Sequence, residues 1–132
     1  MQPIRVLLID DHVPMREHVA ALLSTETDIQ VVAAAGSAEE ALDVEKEIHP
    51  DVVIMDIMLP GMNGVEAIRR MVSRSPDAKI LALSNHSGAA LIQAVFDAGG
   101  LGYVRKNHAA EELIPAIRTV GAGEKYICTG SR

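Results

Sequence analysis

Asp10 and Asp11 close the apolar run Val6-Leu7-Leu8-Ile9, Asp56 closes Val52-Val53-Ile54-Met55, and Ser84 closes Ile80-Leu81-Ala82-Leu83. Arg105-Lys106 close a weaker run that begins at Leu101. Runs of this kind, with no polar alternation, read as strands buried on both faces of a parallel sheet. In an open α/β sheet, function gathers where strands deliver their C-terminal ends. On that placement three carboxylates, a hydroxyl and an ammonium converge on one edge. Carboxylates brought this close repel and raise one another's pKa, so keeping all three ionised requires a cation among them. Hard oxygen ligands with room for water suit Mg2+ or Mn2+. A metal so held is ready to receive a phosphoryl oxygen. Any one of these aspartates, taken alone, reads as an ordinary turn or N-cap residue, and Lys106 alone as a solvated lysine. Five positions at four strand ends weaken that simpler reading.

The elements that position these residues follow from the spacing of apolar side chains. A further weak strand is expected from Ile29 to Ala34, beside the one from Leu101 to Arg105. Met15, Val19, Leu22 and Leu23 recur at helical spacing, as do Val65, Ile68 and Val72. So do Leu91, Ile92, Val95 and Phe96, then Leu113, Ile114, Ile117 and Val120. Each set marks one buried helical face. Ser37 with Glu40 reads as a capping box opening the second helix, Asn63 as the N-cap of the third, and Pro14 suits a first helical turn. Pro115 conflicts with the last pattern, because a missing N–H and a ring clash cost about 3 kcal/mol inside a helix. That helix is therefore expected to start later or to kink. Five β-α units in succession imply a doubly wound parallel sheet with helices on both faces. Periodicity stops after Val120, which sets the packed domain at residues 1–122 and leaves 123–132 as a tail or the start of a linker.

At 132 residues the chain fits one domain, and 48% hydrophobic with 23% charged residues excludes wholesale disorder. Twelve basic against eighteen acidic residues give a net charge of −6. That is the wrong sign for holding nucleic acid or an anionic membrane by its phosphates. The single cysteine, Cys128, cannot make an intrachain disulfide. The opening Met1-Gln2-Pro3-Ile4-Arg5 resembles neither a signal peptide nor a membrane span. The expectation is a cytoplasmic protein with no membrane contact and no direct nucleic-acid binding by this chain.

The acidic pair, the segment Asp56-Ile57-Met58-Leu59-Pro60-Gly61-Met62-Asn63-Gly64, Ser84, and Gly102-Tyr103-Val104-Arg105-Lys106 together resemble the receiver domain of two-component response regulators. The resemblance covers residues 4 to 122. It implies the flavodoxin-like receiver fold, a five-stranded parallel sheet in the order 2-1-3-4-5 flanked by five helices. It implies that Asp56 accepts a phosphoryl group from the phosphohistidine of a sensor histidine kinase. It further implies that Asp11 and Asp56 ligate Mg2+ (Mn2+ as the alternative) together with the backbone carbonyl of Met58, while Asp10 acts largely through water. Lys106 and the Ser84 hydroxyl would each hold a phosphoryl oxygen. Tyr103 would turn inward as Ser84 is drawn to the phosphoryl group, repacking the surface of the fourth helix, fifth strand and fifth helix.

Some positions depart from the family pattern. Ser84 stands where threonine is common, Asn85 is larger than the usual alanine or glycine, and Asn107 replaces proline after the lysine, which makes a cis bond there less expected. His12 and His86 read as rim residues, since neutral imidazole is a poor partner for Mg2+. The segment Gly99 to Tyr126 resembles the NarL/FixJ-like subfamily, whose members usually continue into a helix-turn-helix DNA-binding domain that controls transcription. Only six residues follow Tyr126, so the chain reads either as an excised receiver or as a stand-alone regulator. Apolar residues left on the last two helices suggest a homodimer.

Three other readings compete. A Mg2+-dependent aspartyl phosphatase would need a carboxylate two residues after its nucleophile, where this chain has Met58, so turnover as an enzyme is not expected. A nucleotide-binding module would need a glycine-rich first turn, where this chain has Asp10-Asp11-His12-Val13-Pro14. A degenerate receiver would have lost one of the five chemical positions, and none is lost.

Overall fold

The computed structural model describes residues 2–58, 63–85 and 88–127. His86, Cys128 and the Leu59 to Met62 part of the motif lie outside the described residues. Strands and helices alternate: β1 (Ile4–Ile9), α1 (Val13–Leu23), β2 (Ile29–Ala35), α2 (Ala38–Ile48), β3 (Val52–Asp56) and α3 (Gly64–Arg74). They continue through β4 (Ile80–Ser84), α4 (Ala89–Asp97), β5 (Gly102–Arg105), a 3-10 turn (Lys106–His108), α5 (Ala109–Gly121) and β6 (Tyr126–Ile127). All pairs are parallel, in the order β2-β1-β3-β4-β5-β6.

The expected order 2-1-3-4-5 and the five helices are present. The sheet has six strands, however, not five. A two-residue strand past the expected end of periodicity pairs Gly102 with Tyr126 and Tyr103 with Ile127. Two residues carry no readable period, so pairing alone makes this strand.

Because side chains alternate across a strand, the sheet sorts its apolar residues into two cores. Leu7, Ile9, Val53, Met55, Ala82 and Tyr103 pack with α2, α3 and α4. Val6, Leu8, Val52, Ile54, Leu81, Leu83 and Val104 pack with α1 and α5. Every residue of β3 and β4 is buried, and each large aliphatic side chain so placed contributes about 1.5–3 kcal/mol. This two-sided burial holds the strand ends rigidly at one edge.

Local signals behave largely as their chemistry requires. Ser37 Oγ accepts from the Glu40 amide at 3.1 Å, but the Glu40 carboxylate accepts from Gly36 N at 2.9 Å, one residue before the N-cap. Asn63 Oδ1 accepts from Val65 N at 2.7 Å, and Pro14 lies in the first turn of α1. α5 begins at Ala109, ahead of Pro115, and runs through it. Glu111 and Pro115 are both exposed, so the Glu111 carbonyl that the proline leaves without its N–H partner is on the wet side of the helix.

Candidate functional site

β1 and β3 lie side by side, with Ile9 opposite Met55, so Asp10 and Asp56 emerge at the same level of adjacent strands. Asp10 is anchored by its own amide, which donates to Ala35 O at 3.0 Å, and its carboxylate Oδ1 accepts from His12 N at 2.9 Å. Arg16, one turn into α1, donates to the Asp10 carbonyl at 2.7 Å. Asp56 Oδ1 accepts from Met58 N at 3.0 Å, an Asx-type turn that bends the chain away from the strand. Gly64 is the residue that permits this bend. A Cβ there would stand 2.4 Å from the Ile57 Cα and 2.6 Å from its carbonyl oxygen, while the Gly64 amide donates to that carbonyl at 3.1 Å. The role of Gly64 is not readable from sequence, where a glycine after an N-cap asparagine looks generic.

Lys106, carried past the end of β5, reaches back over the edge. Its Nζ lies 3.1 Å from Asp56 Oδ2 and 3.2 Å from Asp10 Oδ2. The contact with Asp56 is a hydrogen bond, whereas Asp10 Oδ2 is buried without one. Asp11 is exposed at the mouth, and one carboxylate oxygen from each of Asp10, Asp11 and Asp56 falls within 4.8 Å of the others. Ser84, fully buried, ends β4 one residue past Leu83, the register partner of Asp56. All five expected chemical side chains are thus at one edge.

Burial sets the electrostatics. Desolvation pushes the Asp56 carboxyl above its ordinary range; the Met58 amide pulls it down, Asp10 pushes it further up, and Lys106 pulls it down again. Burial pulls Lys106 down, but the Asp56 and Asp10 carboxylates outweigh it, so its ammonium is held more firmly than usual. Three carboxylates against one ammonium leave an excess of negative charge, with one buried carboxylate oxygen lacking a hydrogen bond. An all-oxygen cradle of this charge fits a hard divalent cation.

The remaining expected residues are also placed. Met58 has an exposed side chain and offers only backbone to the site. Tyr103 is 1% exposed and already turned inward, with burial raising its pKa and a hydrogen bond to Ser84 partly offsetting that. The ring is therefore inward in this structure, with no phosphoryl group at the site. His12 and Asn85 line an open cavity of about 470 Å³ with Met15, Lys106 and Asn107, beside the cradle. No peptide among the described residues is cis, including the one between Lys106 and Asn107.

Residues 6–118 match the response regulator receiver domain family. The chain belongs to that family. Its relatives include the transcriptional regulatory protein DegU of Brevibacillus brevis, 40% identical over 94% of this chain and 52% of that protein. The response regulator GacA of Pseudomonas viridiflava is 39% identical over 94% of this chain and 58% of its own length. A crystal structure of a LuxR-family two-component response regulator from Aurantimonas sp. SI85-9A1 superimposes with a TM-score of 0.94. It is 36% identical and covers 98% of this chain and 92% of that one. This receiver is thus of the NarL/LuxR type, and it spans about half the length of the curated relatives it matches. No helix among the described residues is long and apolar enough to cross a membrane.

Proposed function

We propose that this receiver takes a phosphoryl group onto Asp56 from the phosphohistidine of a sensor histidine kinase in the cytoplasm. The observation that supports this most directly is Lys106 Nζ bridging Asp56 and Asp10 inside a buried carboxylate cradle. One oxygen of Asp56 forms the new bond to phosphorus as the phosphorus–nitrogen bond breaks, and the histidine nitrogen keeps that electron pair and takes a proton from solvent. Asp11, Asp56 and the Met58 carbonyl would hold Mg2+, or Mn2+ in its place, with Asp10 acting through water. The metal, when bound, neutralises charge on the transferring group. Lys106 holds one phosphoryl oxygen, and the Ser84 hydroxyl holds another, so the protein contributes positioning and fixed charge. Tyr103 follows Ser84, and phosphorylation acts by favouring the packing in which both face inward.

In the full-length protein, residues 1–122 serve as the phosphoacceptor unit. Residues 123–132 begin the connection to an output domain, a helix-turn-helix that regulates transcription, and phosphorylation promotes a homodimer. The chain catalyses its own phosphorylation and slow dephosphorylation only. The test is intact-mass measurement after incubation with Mg2+ and acetyl phosphate. The wild type gains one phosphoryl group and Asp56→Asn gains none. An unchanged wild-type mass, or steady release of phosphate from a generic ester, would overturn the proposal.

A further inference from the structure

β6 is more than an extra strand at the sheet edge, because Tyr126 and the preceding Lys125 reach the helices on its two sides. The Tyr126 amide donates to Leu101 O at 3.0 Å, its ring packs on the α5 side of the sheet, and its hydroxyl donates to the Glu112 carboxylate of α5. Lys125 lies on the other side, with Nζ 5.6 Å from the centroid of the Phe96 ring of α4, a cation–π contact. Ile127 is the register partner of Tyr103. Register partners in a parallel sheet point to the same face, so Ile127 stands beside the Tyr103 ring on the α4 side. Gly102 makes room for this closure, since a Cβ there would come within 2.5 Å of Leu81 and 2.8 Å of Val120. Residues 125–127 therefore touch α4, β5 and α5 together.

We infer that residues 124–127 are a strap that docks on the α4–β5–α5 face and holds the Tyr103 ring inward. A ring rotating away from Ser84 swings along the α4 side of the sheet edge, the side on which Ile127 and Lys125 stand. A docked strap thus disfavours the outward ring, and the inward ring favours the docked strap. By linkage the coupling runs both ways: whatever draws Ser84 and Tyr103 inward must tighten β6, which lies in the segment proposed to connect to an output domain. The backbone pairing of Tyr103 with Ile127 would carry the state of the phosphoacceptor edge directly into the connecting chain. This inference rests on the proposed role of Tyr103 in the switch.

The composition supplies the test. The chain has two tyrosines and no tryptophan, so Tyr126→Phe and Tyr126→Pro each leave Tyr103 as the sole tyrosine signal. The first keeps the strand's amide donor and the second removes it. Without any phosphate mimic, Tyr103 should report a buried ring in Tyr126→Phe and a population of exposed rings in Tyr126→Pro. Ile127→Gly in the Tyr126→Phe background should shift it the same way, which keeps the test alive if the proline variant folds poorly. In the wild type, exchange of the Tyr126 amide should slow by about fivefold or more with Mg2+ and beryllofluoride. Identical Tyr103 signals in all three variants, or a Tyr126 amide indifferent to bound mimic, would overturn the inference. Failure of the phosphoacceptor reading would look different: no bound-fluoride resonance in the wild type, whatever Tyr103 does in the mimic-free variants.

Discussion

Two cations in this molecule each sit between two carboxylates at similar distances, and the carboxylates beside them shift in opposite directions. Lys106 lies 3.1 and 3.2 Å from Asp56 and Asp10. Arg118 of α5 lies 2.9 Å from Asp28 and 2.6 Å from Glu26 in the loop before β2. Side-chain exposure is 15% for Lys106 and 1% and 3% for its partners, against 45%, 33% and 39% for Arg118, Glu26 and Asp28. At the buried cluster desolvation dominates, and Asp56 is pushed up despite its lysine. At the exposed cluster the Arg118 hydrogen bond dominates, and Asp28 is held down. Separation alone does not distinguish the two clusters; the water taken away from the carboxylates does.

The comparison breaks most visibly at Lys106. Removing a preorganised charge from a buried phosphoryl site costs about 10²–10³-fold in rate, so Lys106→Ala should slow acetyl phosphate labelling by that order while Arg118→Gln leaves it unchanged. Equal slowing in the two variants would mean that burial is not what separates the clusters. Mg2+ provides the next largest effect. A ligand that binds only the folded cradle stabilises by about 1.4 kcal/mol at some tenfold its dissociation constant. Titrating Mg2+ into a thermal melt should raise the wild-type midpoint and leave Asp56→Asn nearly still.

The metal-free protein should show the reverse preference. Because the folded-state pKa of Asp56 is raised above its ordinary value of 3.8, the native state holds that proton more tightly than the unfolded chain. Its contribution is therefore fully present below the ordinary value and is lost as pH rises through the raised one. At neutral pH an ionised, desolvated Asp56 works against the fold. Asp56→Asn should therefore stabilise the metal-free protein at pH 7, with the gain shrinking in acid. Denaturant melts at several pH values in a chelator would show it, and a loss of stability in Asp56→Asn would show that Lys106 outweighs burial.

Most of the chemical edge was legible because the same two facts, an uninterrupted apolar run and a polar residue ending it, recur at Asp10, Asp56 and Ser84. Tandem units then force those ends together. What was not legible depends on contacts between distant segments. β6 has only two residues and follows Gly121-Ala122-Gly123-Glu124, so no period marks it. Gly64 matters because Ile57 backbone crosses it, and Gly102 because α5 leans on it through Val120. Pro115 argues from sequence for a later start or a kink because sequence does not say which side of α5 faces water, and the helix nonetheless starts at Ala109. In each case a local rule yields to tertiary placement, and glycine and proline are where that shows first.

The smallest expected effect is the sharpest check on the contrast. Arg118 ties α5 to the α1–β2 loop through exposed groups, with Nε and Nη2 both reaching Asp28 at 2.9 Å. Charges this exposed are screened once the Debye length falls to about 3 Å near 1 M salt. Asp28 is held below its ordinary value, so its contribution is present above that value and is lost as pH falls through the lowered one. Any stability lost in Arg118→Gln should therefore be confined to low salt and near-neutral pH, and should vanish at 1 M salt or in acid. The loss in metal-free Lys106→Ala should survive high salt, because Asp10 and Asp56 are buried and buried charges are screened much less than exposed ones. Parallel salt series on the two variants separate these outcomes, and a Lys106→Ala deficit that salt erases would place the buried Asp10–Asp56 edge in the same class as the surface brace.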